Sequence, residues 1–187
     1  QLRQALMAHP RLVQTLSGLS DAEVMARLGR PGEHPEGWFL PDTYHFPAGF
    51  TDEAFLRRAR AAMDQRLREI WDRRAPDAPV NDPYQALILA SIIEKETGIA
   101  AERAEIAGVF ARRLRQGMRL QTDPTVIYGL GEAFDGNLHR RDLETDTPYN
   151  TYTRSGLPPT PIALPGIAAL EAAVNPASGD TLYFVAD

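Results

Sequence analysis

The segment over residues 84–97 constrains the fold most, because nearly all of its first ten residues are apolar. Pro83 lies directly before it and Gly98 directly after it, so the pattern predicts one helix over 84–97. A helix that is apolar on most sides has to be buried. A second helix is predicted over 102–116, with an apolar side and an arginine side, and we expect it to pack beside the first.

Apolar residues at helical spacing predict two further helices, over 52–74 and 167–174. Near the start of the chain, Ser20 and Glu23 have the spacing of a capping box, which predicts a short helix that ends at Gly29. The 187 residues suffice for one ordinary domain with a substantial core.

The remaining segments lack a helical period. Residues 30–49 combine prolines with aromatic residues and are predicted as loop or short strand, and residues 144–166 as an ordered loop. Residues 181–185 are predicted as a terminal strand. Between these segments, Asp123 followed by Pro124 predicts the start of a short helix, with the aspartate as its cap.

Composition excludes several classes of function. The 25 acidic residues outnumber the 20 basic ones, giving a net charge of −5 without a basic block, so nucleic acid is not an expected partner. No cysteine is present, which removes disulfides, thiolate metal sites and cysteine nucleophiles. The four histidines do not fall at metal-ligand spacing, and no phosphate-binding or G-x-S-x-G motif occurs. We therefore predict neither a metal nor a cofactor.

One carboxylate on the apolar helix is a candidate for acid catalysis. Ile92 and Ile93 precede Glu96 by four and three residues, so Glu96 continues the apolar face, whereas Glu94 points the opposite way and is predicted to be solvated. Burial raises the pKa of a carboxyl group, which can then hold the proton that cleavage of a glycosidic bond requires. The alternative is a structural glutamate that binds a backbone N–H or an arginine. Asp42, Asp123 and Asp142 are candidates for a second carboxylate.

Two non-helical segments are rich in side chains of the kinds that line carbohydrate grooves, where rings pack against sugar faces and amides bind hydroxyl and acetamido groups. Taken singly, each of these side chains is more typical of the core or of a turn, and it is their density in two segments that favours a groove. They are Trp38, Tyr44, Gln121, Tyr128, Tyr149, Asn150 and Tyr152.

Five motifs carry a resemblance to a known family. They are residues 36–44 (Glu-Gly-Trp-Phe-Leu-Pro-Asp-Thr-Tyr), 92–97 (Ile-Ile-Glu-Lys-Glu-Thr), 117–129 (Gly-Met-Arg-Leu-Gln-Thr-Asp-Pro-Thr-Val-Ile-Tyr-Gly), 149–152 (Tyr-Asn-Thr-Tyr) and 175–176 (Asn-Pro). From about Glu36 to its last residue, the chain resembles the YceG-like family of endolytic murein transglycosylases.

The resemblance implies an α+β fold, with a mainly helical, lysozyme-like catalytic core and short strands over residues 36–187, truncated at its C-terminal end. Residues 1–35 would be the remnant of a small LysM-like subdomain. It also implies a lyase that cuts nascent peptidoglycan strands internally between N-acetylmuramic acid and N-acetylglucosamine, leaving a 1,6-anhydromuramyl end and terminating elongation of the strand.

The family's catalytic glutamate falls on Glu96, and Thr97 is expected to hydrogen bond near it. The resemblance and the residue types together assign substrate binding to Thr97, Gln121, Thr122, Asp123, Tyr128, Tyr149, Asn150 and Tyr152. No metal or cofactor is implied.

Family members are held in the bacterial inner membrane by one N-terminal helix, with the catalytic part facing the periplasm. By this resemblance, the chain is expected to begin after that anchor and to be soluble. Glycan strands are the expected partner, and cell-wall synthases are a further one. Two alternatives stay open: a muramidase that uses water, and a non-catalytic peptidoglycan-binding module of a cell-wall synthesis complex.

Overall fold

The computed structural model describes residues 1–184, and those residues form eight α-helices and one short 3₁₀ helix. The α-helices are α1 Leu2–Ala8, α2 Asp21–Arg27, α3 Asp52–Asp72, α4 Pro83–Glu96, α5 Arg103–Arg115, α6 Asp123–Leu130, α7 Arg140–Glu144 and α8 Ile167–Val174, and the 3₁₀ helix is Gly131–Ala133. The described part of the chain is therefore mostly helical.

Helix α4 is the centre of the fold, as its apolar sequence predicts. Every residue from Ala86 to Ile93 is buried, and α4 contacts α3, α5, α6 and α8. The helix begins where Asp82 accepts a hydrogen bond from the N–H of Gln85 at 2.9 Å. The neighbouring α5 also forms as predicted, to within one residue at each end.

The main core is built around α4 from one face each of α3, α5 and α8. Helix α3 ends at Asp72, two residues earlier than predicted, and α8 has the predicted bounds. The hydroxyl of Thr51 caps α3 by accepting the N–H of Ala54 at 3.0 Å.

A second, smaller apolar cluster joins the first two helices to the start of α3. It contains Leu6, Leu12, Leu16, Val24, Met25, Leu28, Phe39, Leu56 and Ala59. The predicted capping box of α2 is confirmed, with the Ser20 hydroxyl accepting the N–H of Glu23 at 3.3 Å. The domain boundary near residue 35 stays a prediction.

Buried Asp52 fastens this N-terminal part to α3. Its Oδ1 accepts the N–H and the hydroxyl of Thr15 at 2.8 and 2.6 Å, and its Oδ2 accepts the N–H of Leu16 at 3.1 Å. Burial alone would raise the pKa of Asp52, but the hydrogen bonds from Thr15, Leu16 and Glu53 outweigh it and hold that pKa below its ordinary value.

The predicted strands do not form in the described residues, where the β-structure consists of one isolated parallel bridge between Val13 and Thr51. Residues 181–184 are irregular, and Val185 lies outside the described residues. The side chain of Arg112 binds the carbonyl of Thr181 at 2.6 Å, and that of Arg113 binds the carbonyl of Leu182 at 2.8 Å. The segment is therefore held by hydrogen bonds from arginine side chains and not by the predicted pairing with another strand.

Two helical details also differ from the sequence-based expectations. Thr122 takes the N-cap position of α6, so Asp123 is its first helical residue and not its cap. Helix α7 was not predicted, because its five mostly charged residues have no apolar period. Within residues 1–184, no helix is both long enough and apolar enough to span a bilayer.

Candidate active site

Glu96 is the last residue of α4, and its side chain is partly buried. The hydroxyl of Thr122, at the start of α6, donates a hydrogen bond to Glu96 Oε2 at 2.7 Å. Burial raises the pKa of Glu96, the Thr122 hydrogen bond opposes that rise, the charge of Asp123 adds to it and Arg113 opposes it. Because the net shift is upward, Glu96 is suited to hold a proton and donate it.

The backbone before Thr122 is held in an unusual conformation. Gln121 has φ 51°, and within residues 1–184 it is the only non-glycine residue with positive φ. Two contacts with Thr151 maintain this turn: the N–H of Gln121 donates to the Thr151 carbonyl at 3.1 Å, and the N–H of Thr122 donates to Oγ1 of Thr151 at 3.1 Å. The turn directs the Thr122 hydroxyl onto Glu96 and leaves Gln121 exposed.

Arg113, on α5, also stabilises the turn at Gln121. Its buried guanidinium donates to the carbonyl of Leu120, directly before Gln121, and to that of Leu182. It also favours ionisation of Glu96. Arg113 thus links the shape of the turn to the charge of the site.

A second pair of polar side chains lies beside Glu96. The hydroxyl of Tyr152 donates a hydrogen bond to Asp123 Oδ1. Burial, and then Asp123 and Glu96, raise the pKa of Tyr152, so this phenol stays protonated. The structure therefore brings together Glu96, Thr122, Asp123 and Tyr152, with Gln121 alongside.

Glu94 is not the solvated glutamate that the helical face predicts. Its Oε2 accepts the N–H of Gly166 at 3.0 Å, and its Oε1 lies 3.6 Å from Nη2 of Arg103. The cause is α8, whose N-terminal end packs against this side of α4 and needs an acceptor for its first N–H groups.

Thr97 has partners other than Glu96. Its hydroxyl donates to Glu102 Oε2 at 2.6 Å and accepts the N–H of Ile99 at 2.9 Å. This side chain organises the turn between α4 and α5. The hydroxyl that binds Glu96 belongs to Thr122 instead.

Asn150 is fully buried, and its amide is occupied by the protein itself. The NH₂ group donates to the carbonyls of Asp142, Leu143 and Thr145 at 3.1, 3.1 and 2.7 Å, and the side-chain oxygen accepts the N–H of Tyr152 at 2.8 Å. In this structure the amide binds the protein itself, and the contact of Asn150 with a sugar stays a prediction. Asn150 thereby fixes the loop that carries Tyr152.

Tyr128, on α6, and Tyr149, in the loop after α7, form an aromatic pair. Their ring centroids are 4.9 Å apart, and the Tyr149 hydroxyl hydrogen bonds with that of Thr160 at 2.8 Å. Tyr128 follows Asp123 by five residues, which is about 8 Å along the helix axis. The predicted site residues thus divide into a group around Glu96 and an aromatic pair at a distance from it.

Other predicted or possible ligand positions lie elsewhere. Asp142 caps α7 by accepting the N–H of His139 at 2.9 Å. Within residues 1–184, no three His, Cys, Asp or Glu side chains are grouped so that they could hold a metal ion. A cavity of about 460 Å³ between α3, α5 and α8 is lined in part by Arg73, Arg103 and Glu171 and does not include Glu96.

The model of the YceG-like family matches residues 3–187. An endolytic murein transglycosylase of Bacillus subtilis is 41% identical over 155 residues, which are 82% of this chain and 42% of that protein. An endolytic murein transglycosylase of Streptococcus pneumoniae is 33% identical over 191 residues, covering 100% of this chain and 33% of that protein.

A crystal structure of a yceG-like protein from Listeria monocytogenes has the same fold, with a TM-score of 0.71 and 35% identity. The match covers 100% of this chain and 57% of that one. The chain thus spans less than half the length of the two curated relatives.

Proposed function

This chain belongs to the YceG-like family, and from that premise we propose that it carries the catalytic part of an endolytic murein transglycosylase. The reaction is cleavage of peptidoglycan glycan strands between N-acetylmuramic acid and N-acetylglucosamine. The observation that carries the proposal is Glu96, a partly buried carboxyl group with a raised pKa next to a turn of unusual backbone shape. The relatives named above support the same chemistry.

Protonated Glu96 gives its proton to the glycosidic oxygen, and the bond from that oxygen to the anomeric carbon breaks. The Thr122 hydroxyl then stabilises the carboxylate that has formed. Glu96 next takes the proton of the muramyl C6 hydroxyl, whose oxygen attacks the anomeric carbon and closes the 1,6-anhydro ring. No water is consumed: the first proton leaves on the released sugar hydroxyl, and the C6 proton restores the acid form of Glu96.

The remaining groups of the site bind and orient the sugars in this proposal. Tyr152 and Asp123 present a hydroxyl and a carboxylate beside Glu96, and Gln121 offers an exposed amide. Tyr128 and Tyr149 supply aromatic faces.

We also propose that the helices around α4 are a lysozyme-like core and that residues 1–35 are the remnant of a LysM-like subdomain. In the whole protein, the catalytic part would face the periplasm from an inner-membrane anchor and work beside cell-wall synthases.

A specific observation favours one second candidate, a muramidase that uses water. Asp123 is close enough to raise the pKa of Glu96, and a hydrolase of the retaining type needs a second carboxylate near its acid. Product mass separates the two reactions, because the anhydro product is lighter than the hydrolytic one by one water.

The experiment is mass spectrometry of products from purified, uncross-linked glycan strands. The wild type is expected to release anhydromuramyl ends, and Glu96→Gln is expected to lower the rate by at least about 10²-fold, because it removes the proton donor. Glu105→Gln, which changes an exposed residue of α5, is the matched control and is expected to retain full activity. Products with only reducing ends would identify the protein as a muramidase. Binding of strands by the wild type without any cleavage would identify it as a non-catalytic binding module.

A further inference from the structure

A second carboxyl group outside the Glu96 site, that of Glu36, is held rigidly at the tyrosine pair. Its neighbour Gly37 has φ 88°, and a Cβ added there would lie 2.6 Å from Cβ of Pro161 and 3.2 Å from Cδ2 of Leu87. The next residue, Trp38, stacks on Tyr84 with 5.7 Å between ring centroids. Only glycine fits this close approach, so the backbone carrying Glu36 is fixed against the core.

The same contacts connect Glu36 to the aromatic pair. Pro161, against which Gly37 packs, directly follows Thr160, whose hydroxyl binds that of Tyr149. The Tyr149 ring in turn contacts Tyr128. Burial is the main cause of the raised pKa of Tyr128, and the charge of Glu36 is the next.

The protein gives the Glu36 carboxyl group no side-chain partner. Within residues 1–184, no side chain donates a hydrogen bond to it and no cation forms a salt bridge with it. Nearby Glu33, by contrast, pairs with Arg60 at 2.9 Å. Glu36 is only partly buried and no protein side chain occupies its carboxyl group, so the carboxyl oxygens can accept hydrogen bonds from a ligand.

Burial accounts for most of the raised pKa of Glu36. The groups around it act in both directions: His34, the N-terminal amino group and the Gly37 N–H lower this pKa, and Asp21 raises it. Of these groups, the Gly37 N–H acts through a hydrogen bond to the carboxyl group.

We propose that Glu36, with Tyr128 and Tyr149, binds a sugar unit of the glycan strand beyond the unit held at Glu96. A carboxyl group beside two aromatic rings suits an N-acetylated sugar, whose hydroxyl and acetamido N–H groups hydrogen bond while its face packs on a ring. Tyr128 lies about 8 Å along α6 from Asp123, so this subsite is displaced from the bond that is cut. The inference rests on the proposed function and adds to it a subsite that favours long strands.

The test compares kcat and KM for short and long uncross-linked glycan strands. Glu36→Ala is expected to raise KM for long strands about tenfold, the loss of roughly one hydrogen bond to a charged group, while kcat stays within about twofold. Glu36→Gln keeps the shape and one acceptor oxygen, so it is expected to restore most of the lost affinity. Glu132→Gln, at an exposed position in the 3₁₀ helix, is the matched control and is expected to leave both constants unchanged.

A second measurement needs no variant of Glu36. The chain has two tryptophans, so Trp71→Phe leaves Trp38, two residues from Glu36, as the single fluorescent reporter. In the Glu96→Gln background, binding of long strands is expected to change Trp38 emission more than binding of short strands. An unchanged KM in Glu36→Ala, or an unchanged Trp38 signal if that variant fails to fold, would overturn the inference. Absence of cleavage by the wild type would overturn the proposed function instead, and the Trp38 signal would still test the subsite.

Discussion

The hydrogen bond from Thr122 to Glu96 predicts how the activity depends on pH. In Thr122→Val the hydroxyl is replaced by a methyl group of similar size, and the 2.7 Å contact with Glu96 Oε2 is lost. The backbone bonds of Thr122 with Thr151 and Thr125 do not involve that hydroxyl and are expected to remain. The substitution therefore changes one interaction of Glu96 and little else.

The size of the effect follows from the kind of bond that is removed. A hydrogen bond to a charged group contributes about 1.5–3 kcal/mol, and it favours carboxylate over carboxylic acid. Thr122 is only 2% exposed, so water does not readily replace its hydroxyl. At the lower figure, Glu96 becomes about tenfold weaker as an acid, because 1.4 kcal/mol corresponds to a factor of ten.

The assay is kcat/KM for strand cleavage over the range in which carboxyl and imidazole groups titrate. Glu96 must be protonated to act, so the alkaline decline in activity is expected to move to higher pH in Thr122→Val. The plateau rate below that decline is expected to fall, because the variant no longer stabilises the carboxylate that forms when Glu96 gives up its proton. Thr125→Val is the control, since the Thr125 hydroxyl binds the Thr122 carbonyl at 2.8 Å and does not contact Glu96. An equal loss at every pH, with the decline unmoved, would refute the assignment of Glu96 as the titrating acid.

Two further predictions concern side chains that stabilise the fold. Asn150→Ala is expected to lower the free energy of unfolding by about 3 kcal/mol, because it leaves three carbonyls and one N–H without their partner; denaturant unfolding measures this, and a loss below about 0.5 kcal/mol would contradict the structural role. Asp52→Asn is expected to cost about 2–4 kcal/mol at neutral pH, since one acceptor oxygen becomes a donor facing the N–H groups of Thr15 or Leu16. Because the folded-state pKa of Asp52 is lowered, its contribution is present above the unfolded-state pKa and is lost as pH falls through the folded-state pKa. The stability difference between wild type and Asp52→Asn should therefore shrink on acidification, and a constant difference in thermal melts would argue against ionised Asp52 as the cause.

Periodicity and helix-ending residues were sufficient to predict the large helices. Pro83 and Gly98 bound an apolar run, which makes the position of α4 readable from local sequence alone. The same helical spacing placed Glu96 on the face of Ile92 and Ile93, and the structure finds its carboxyl group partly buried, with a raised pKa. Its catalytic role stays a prediction.

What could not be predicted depends on contacts between distant parts of the chain. Glu94 looked solvated because nothing in its own helix shows that Gly166, 72 residues later, donates an N–H to it. Asn150 has the chemistry of a sugar ligand, and only the path of the loop around it shows that its amide is fully used. From the sequence, Thr122 is assigned to substrate binding. Its bond to Glu96 depends on the positive φ of Gln121, a backbone conformation that the sequence of a non-glycine residue does not predict.

Glu96 occupies the final turn of α4, where the uncapped carbonyl groups concentrate partial negative charge. When Glu96 is ionised, its negative charge is disfavoured at that end of the helix, so a side chain that is always neutral would make the helix easier to form. Screening a library of this protein for heat resistance alone would therefore enrich replacements of Glu96 together with useful changes elsewhere. An effort to raise the thermal stability of this protein therefore has to keep Glu96 unchanged or select for catalytic activity in the same round.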